Sequence, residues 1–173
     1  MTSPRVRKLL LLCHVVSSVG WFGAAAAFAG LVFAALRTSD AQSARAAVLA
    51  IEPIMWFAIV PLALASLLTG LIQSLATHWG LVRYYWVVYK LVLTLFATTI
   101  LFLNTRTIAS LVQAARTVEG GDLGSLKGQL VHASLGMLVL LLTTVLGAYK
   151  PKGVTRYGWR KQHERNSASP ERA

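Results

Sequence analysis

Apolar residues gather into four long runs, at about 9–36, 53–76, 84–105 and 126–149. A helix needs about 20 such residues to cross hydrocarbon, and each run has that length. The pattern predicts an all-α, polytopic membrane protein, folded as an antiparallel four-helix transmembrane bundle. Within the second run, Glu52, Trp56, Ile59, Ala63, Ser66, Gly70, Gln73 and Thr77 alternate in steps of four and three. That is the period of one helix face, expected to point into the bundle, with Pro61 bending the helix. The first run carries Gly20, Gly23, Ala27 and Gly30, a small-residue seam that lets a neighbouring helix approach closely.

Connectors are short apart from 106–127. There "TIASLVQAARTVE" reads as a helical extension closed by Gly120-Gly121-Asp122. After Pro151 the chain turns polar. The expected organisation is one transmembrane domain over 1–164 and a disordered tail over 165–173.

Composition agrees with the pattern. Hydrophobic residues make up 55% of the 173 and charged residues 13%, where a soluble domain carries about 25% charged. Net charge is +11, unevenly placed. Arg5, Arg7, Lys8, Arg83 and the seven basic residues from Lys150 onward fall at one end; Arg37, Arg45, Arg106, Arg116 and Lys127 fall at the other. Eleven against five puts both termini in the cytoplasm by the positive-inside rule, and the expected location is a bacterial cytoplasmic membrane. A basic face interleaved with aromatics, as nucleic-acid binding needs, is missing. Cys13 is the sole cysteine, so an internal disulfide is excluded. Arg5-Val6-Arg7-Lys8 ahead of an apolar run has the look of a signal peptide, but the run is longer than a signal core and is expected to be retained.

Depth brings candidate chemistry. At about 1.5 Å of rise per residue, His14 lies about 9 Å inside Lys8, Lys90 about 10 Å inside Arg83, Gln73 about 8 Å from His78 and Thr144 about 9 Å from Lys150. Each helix thus places a polar group at nearly one level. An ionisable group there costs at least about 2–3 kcal/mol unless satisfied. Lys90 can snorkel to the surface. His14 can bond a backbone carbonyl or Gln73, or act as a metal ligand, since a neutral imidazole beside flat aromatics such as Trp21 suits haem iron. His132 lies about 27 Å from the basic end, too far to share an iron with His14. With Glu52 it forms either a hydrogen-bonded pair or an outer proton or metal site. Glycine-rich phosphate loops, paired carboxylates and Ser-His-Asp sets are absent from the sequence.

A family resemblance follows from these residues. "HVVSSVGWFGA", His14 through Trp21 to Ala24, resembles the first-helix pattern of bacterial membrane-bound, haem-containing protoporphyrinogen oxidases. "YYWVVYKLVLTLFATT" is similar to their Trp-x-x-x-Lys-Leu stretch at Trp86, Lys90 and Leu91. The copper-resistance D proteins share the broad helical plan. A family of four-helix integral membrane proteins of unknown function is similar over more of the chain, through His132-Ala133 and "YKPKGVTRYG" at 149–158. The oxidase resemblance implies haem binding at His14 and Lys90. The chain departs from those oxidases where they carry Pro-Arg and Tyr-His, here "FAGLVFAALR", and where they carry a histidine near the end of the third helix, here "LFLNTR", so the resemblance supports the helical bundle more than the oxidase reaction.

The functional expectation is therefore a membrane protein that binds haem b, or joins in membrane redox chemistry, through His14, Lys90, Trp21 and Gln73, with His14 as metal ligand. A non-catalytic transporter or accessory subunit, and a structural module, are the alternatives. Expected partners are the bilayer, anionic lipid at the C-terminal basic segment, and a second copy or another membrane protein.

Overall fold

The structure is a computed structural model that describes residues 3–77, 80–117 and 123–167. Helix α1 spans Pro4–Arg37 and α2 spans Ala41–Ile54. A π turn over Met55–Ile59 joins α2 to α3, Val60–Ala76. Then come α4, Tyr85–Arg116, α5, Leu123–Tyr149, and α6, Arg156–Ser167. Among the described residues, four helical units are long and apolar enough to cross a membrane, the second being α2 and α3 together. The second and third spans lengthen most against the expected bounds. The second span begins at Ala41 rather than Pro53, because Asp40 caps it: the carboxylate accepts from the backbone N–H of Gln42 and Ser43, two donors that a helix start leaves unpaired. The third span and its extension form one unbroken helix to Arg116.

Helix α1 packs on α2, α3 and α5, and α4 packs on α5, α2 and α3, which closes the bundle into a ring of four. The end bearing Pro4, Ala76, Tyr85 and Tyr149 is the termini end; the other is the far end. Hydrocarbon solvates leucine as well as a protein core does, so helix association in lipid rests on close packing and interhelical hydrogen bonds. Phe57 is accordingly 84% exposed, and Leu9, Leu75 and Leu103 also face outward. The far half is packed solid around Phe28, Val32, Ile51, Met55, Ile108 and Val112.

The π turn corrects the stripe expected on the second span. Pro61 has no N–H and its ring presses on the carbonyl four residues back. The chain widens just before it, and Val60 N–H bonds five back to Met55 O. The extra residue rotates the inward face. Ile59, Ala63 and Ser66 point inward as expected, but farther out the buried positions are Met55, Ile51 and Val48, while Trp56 is exposed. The seam on α1 is also largely unused within the chain. Gly20 meets Leu62, whereas a Cβ at Gly23 or Gly30 would touch nothing within 4 Å.

The segment after α5 is ordered against the bundle. Lys150, just before Pro151, leaves the helix at φ +42. Residues 153–155 then pair with the loop before α4: Tyr85 N–H donates to Gly153 O at 3.2 Å and Thr155 N–H to Arg83 O at 3.0 Å. Thr155 Oγ1 donates to Val82 O and accepts from Gly158 N–H, capping α6. Gly158 sits so close that a Cβ there would lie 2.5 Å from Arg83 O. Helix continues to Ser167, past the expected boundary at 164; the remainder of the expected disordered tail lies outside the described residues.

Candidate functional site

The termini half encloses a cavity of about 660 Å³ between α1, α3, α4 and α5, within the ordinary range for small-molecule sites. His14, Gln73, Lys90 and Thr144, the four residues expected at one depth, all line it, with Trp21 and Trp86 as flat walls. Trp21 is 4% exposed. On α5, Thr143 is buried and Thr144 exposed, and both hydroxyls donate to Leu140 O.

His14 is held by α3. Its Nδ1 lies 3.0 Å from Ser66 O and 3.2 Å from Thr69 Oγ1. A carbonyl oxygen only accepts, so in the neutral ring the proton is on Nδ1. Thr69 donates its own hydrogen to Ala65 O at 2.6 Å, leaving its lone pair for His14. The other nitrogen, Nε2, keeps a free lone pair. Glycine at 70 makes room for the ring, since a Cβ there would lie 3.0 Å from His14 Cε1. Beside this bond Ser18 and Ser66 join hydroxyls at 2.7 Å, and Ser17 Oγ donates to His14 O. Sequence reasoning placed Ser66 on the inward stripe but missed this ladder of small hydroxyls, for which the pair Ser17-Ser18 facing Ser66 and Thr69 was the available signal. Gln73 lines the cavity and is not the partner of His14.

Lys90 does not reach out to lipid. Its Nζ lies 3.0 Å from where a Cβ of Gly147 would be. Gly147 is three residues from Lys150, so the ammonium climbs inside the cavity from a depth of about 10 Å toward about 5 Å. Arg7, Lys8 and Lys150 line the rim, and among the described residues no Asp or Glu lines the cavity. Four cationic side chains around one hollow repel each other, and an anion seated among them offsets that repulsion.

The proposed outer pair is not brought together. Glu52 accepts from Arg116 at 2.7 Å, and Arg45 donates to Arg116 O, closing the end of α4. His132 is exposed on α5, with Nδ1 2.9 Å from Gly128 O of its own helix. The polar pair that does form at that level was not foreseen. Across α4 and α5, Asn104 Nδ2 donates to Gln129 Oε1 at 2.6 Å and Gln129 Nε2 donates to Asn104 Oδ1 at 3.1 Å, and Gln129 is 2% exposed.

Among the described residues no three His, Cys, Asp or Glu side chains group to hold a bare metal ion. Haem asks less of the protein, one axial nitrogen and a lined slot. Nε2 of His14, the indoles of Trp21 and Trp86 and the cationic rim fit such a group, the rim matching its carboxylates. No family model, curated protein or solved structure matches the chain.

Proposed function

We propose that this chain is a multi-pass protein of a bacterial cytoplasmic membrane, with both termini in the cytoplasm, that binds haem b in the termini-end cavity and takes part in membrane redox chemistry. The observation that carries the reading is the bond from His14 Nδ1 to Ser66 O. It fixes ring orientation and tautomer, as the second shell of a metal-ligating histidine does. His14 would hold the haem iron through Nε2. Lys90, with Arg7, Lys8 and Lys150, would hold the carboxylates, and Trp21 and Trp86 would wall the ring and exclude water. Bound haem would supply one-electron exchange. Orientation rests on the surplus of basic residues at the termini end.

An absorption spectrum of protein purified in detergent tests this. The expected result is a Soret band that His14→Ala abolishes and Lys90→Ala weakens. A colourless protein, from cells supplied with haem, returns the chain to the non-catalytic transporter or accessory-subunit reading.

A further inference from the structure

Among the residues that line the cavity, those on α3 and α4 are buried or half-buried, whereas exposed ones occur on α1, at Leu11, Val15 and Val19, and on α5, at Thr144 and Ala148. A residue that both lines a cavity and faces the outside marks an opening. On α1, Val15 and Val19 lie on the edge of the lining face opposite the one where His14 meets α3, as their one-residue offsets from His14 and Ser18 require. On α5, Thr144 and Ala148 hold the corresponding edge next to buried Thr143 and half-buried Gly147. These positions belong to apolar spanning helices, inside the basic rim of Arg7, Lys8 and Lys150.

We propose that the cavity opens sideways, through a slot between α1 and α5, into the leaflet at the termini end, and that it admits anionic amphiphiles from the bilayer. Their charged group docks at Arg7, Lys8 and Lys150 while the apolar body passes Val15, Val19 and Ala148. The slot suits this passage because its α5 edge is small and uncharged, while the four cations select the sign of the head group. The inference rests on the cavity being a ligand site. It extends that reading by naming where the ligand comes from and its chemical class, an anionic head on an apolar body, which a haem and an acidic phospholipid share.

The test uses the full chain in vesicles, with Trp21 kept and Trp56, Trp79, Trp86 and Trp159 replaced by Phe. Phosphatidylglycerol brominated on its acyl chains should quench Trp21 more strongly than brominated phosphatidylcholine, although Trp21 is buried from the outer surface. Ala148→Leu should remove most of that quenching, and Val15→Phe on the facing edge should do the same. Ser134→Leu, on the exposed face of α5 outside the cavity, should leave it unchanged. Circular dichroism confirms that each variant keeps its helix. Equal quenching by the two lipids, or quenching untouched by both slot variants, overturns the proposal. A Soret band read on the parent chain, with Trp86 in place, and on the same slot variants made in that parent, separates the two ligand sources. Slot-dependent quenching without a band supports lateral lipid entry and removes the haem reading; a band with slot-independent quenching does the reverse.

Discussion

His14 Nδ1 and Ser66 O lie 3.0 Å apart across the contact of α1 with α3, and this one bond decides which nitrogen of the imidazole is available to a ligand. It also makes α3 part of the site. The ring is seated against Gly70, one turn along from Ser66, and a Cβ there would come within 3.0 Å of it.

Gly70→Ala should therefore displace the ring. Overpacking costs about 1–3 kcal/mol, expected as a lower melting temperature in detergent together with weaker haem binding. Gly23→Ala is the contrasting substitution. Nothing lies within 4 Å of a Cβ there, and an alanine in a helix is favoured over glycine by about 0.5–1 kcal/mol, so the melting temperature should hold or rise.

The Asn104–Gln129 pair should register as coupling. Asn104→Leu strands a buried amide and should cost about 1–3 kcal/mol, as should Gln129→Leu. The double variant should be less destabilised than the sum, with a coupling of about 0.6–1.7 kcal/mol by the scale of interhelical bonds in membranes. Unfolding by sodium dodecyl sulfate titration measures all three.

Gly158→Ala should release the C-terminal segment, because the Cβ would meet the backbone oxygen of Arg83 at 2.5 Å and backbone cannot step aside. Thr155→Val, which loses both the cap and the bond to Val82 O, should do so more mildly; a lost cap is worth about 1 kcal/mol. Limited trypsin digestion should cut both variants sooner than the parent at Lys152 and Arg156, with the transmembrane core left intact.

Asp40 gives the start of α2 a dependence on pH. Hydrogen bonds from the Ser43 hydroxyl, then from the Ser43 and Gln42 backbone, hold its carboxyl below the ordinary 3.8. A lowered folded value means that the cap's contribution is complete above 3.8 and is lost as pH falls through the folded value. Melting temperature measured down an acid series should show this loss in the parent chain and a shallower one in Asp40→Asn, which caps without titrating.

The spans were legible because runs of apolar residues long enough for hydrocarbon have no other stable home, and the shared level of His14, Gln73, Lys90 and Thr144 was legible because helix rise converts sequence offset into depth. What depth does not give is rotation about the helix axis. The π turn beside Pro61 turned Trp56 outward and Met55 inward, a one-residue slip invisible to a stripe that fits a regular period. His132 and Glu52 share a level and still face different ways, one to lipid and the other to Arg116. The docking of 153–158 on 82–85 is made of backbone groups and a single threonine hydroxyl, which leave no periodic trace in the sequence.

Haem titration into protein freed of it tests the central claim most directly, comparing the parent chain with His14→Gly, with and without added imidazole. Ligation through Nε2 of His14 predicts a shifted Soret band in the parent, its loss in the variant, and its return when imidazole fills the vacated place. Identical spectra for parent and variant, with no response to imidazole, would contradict it.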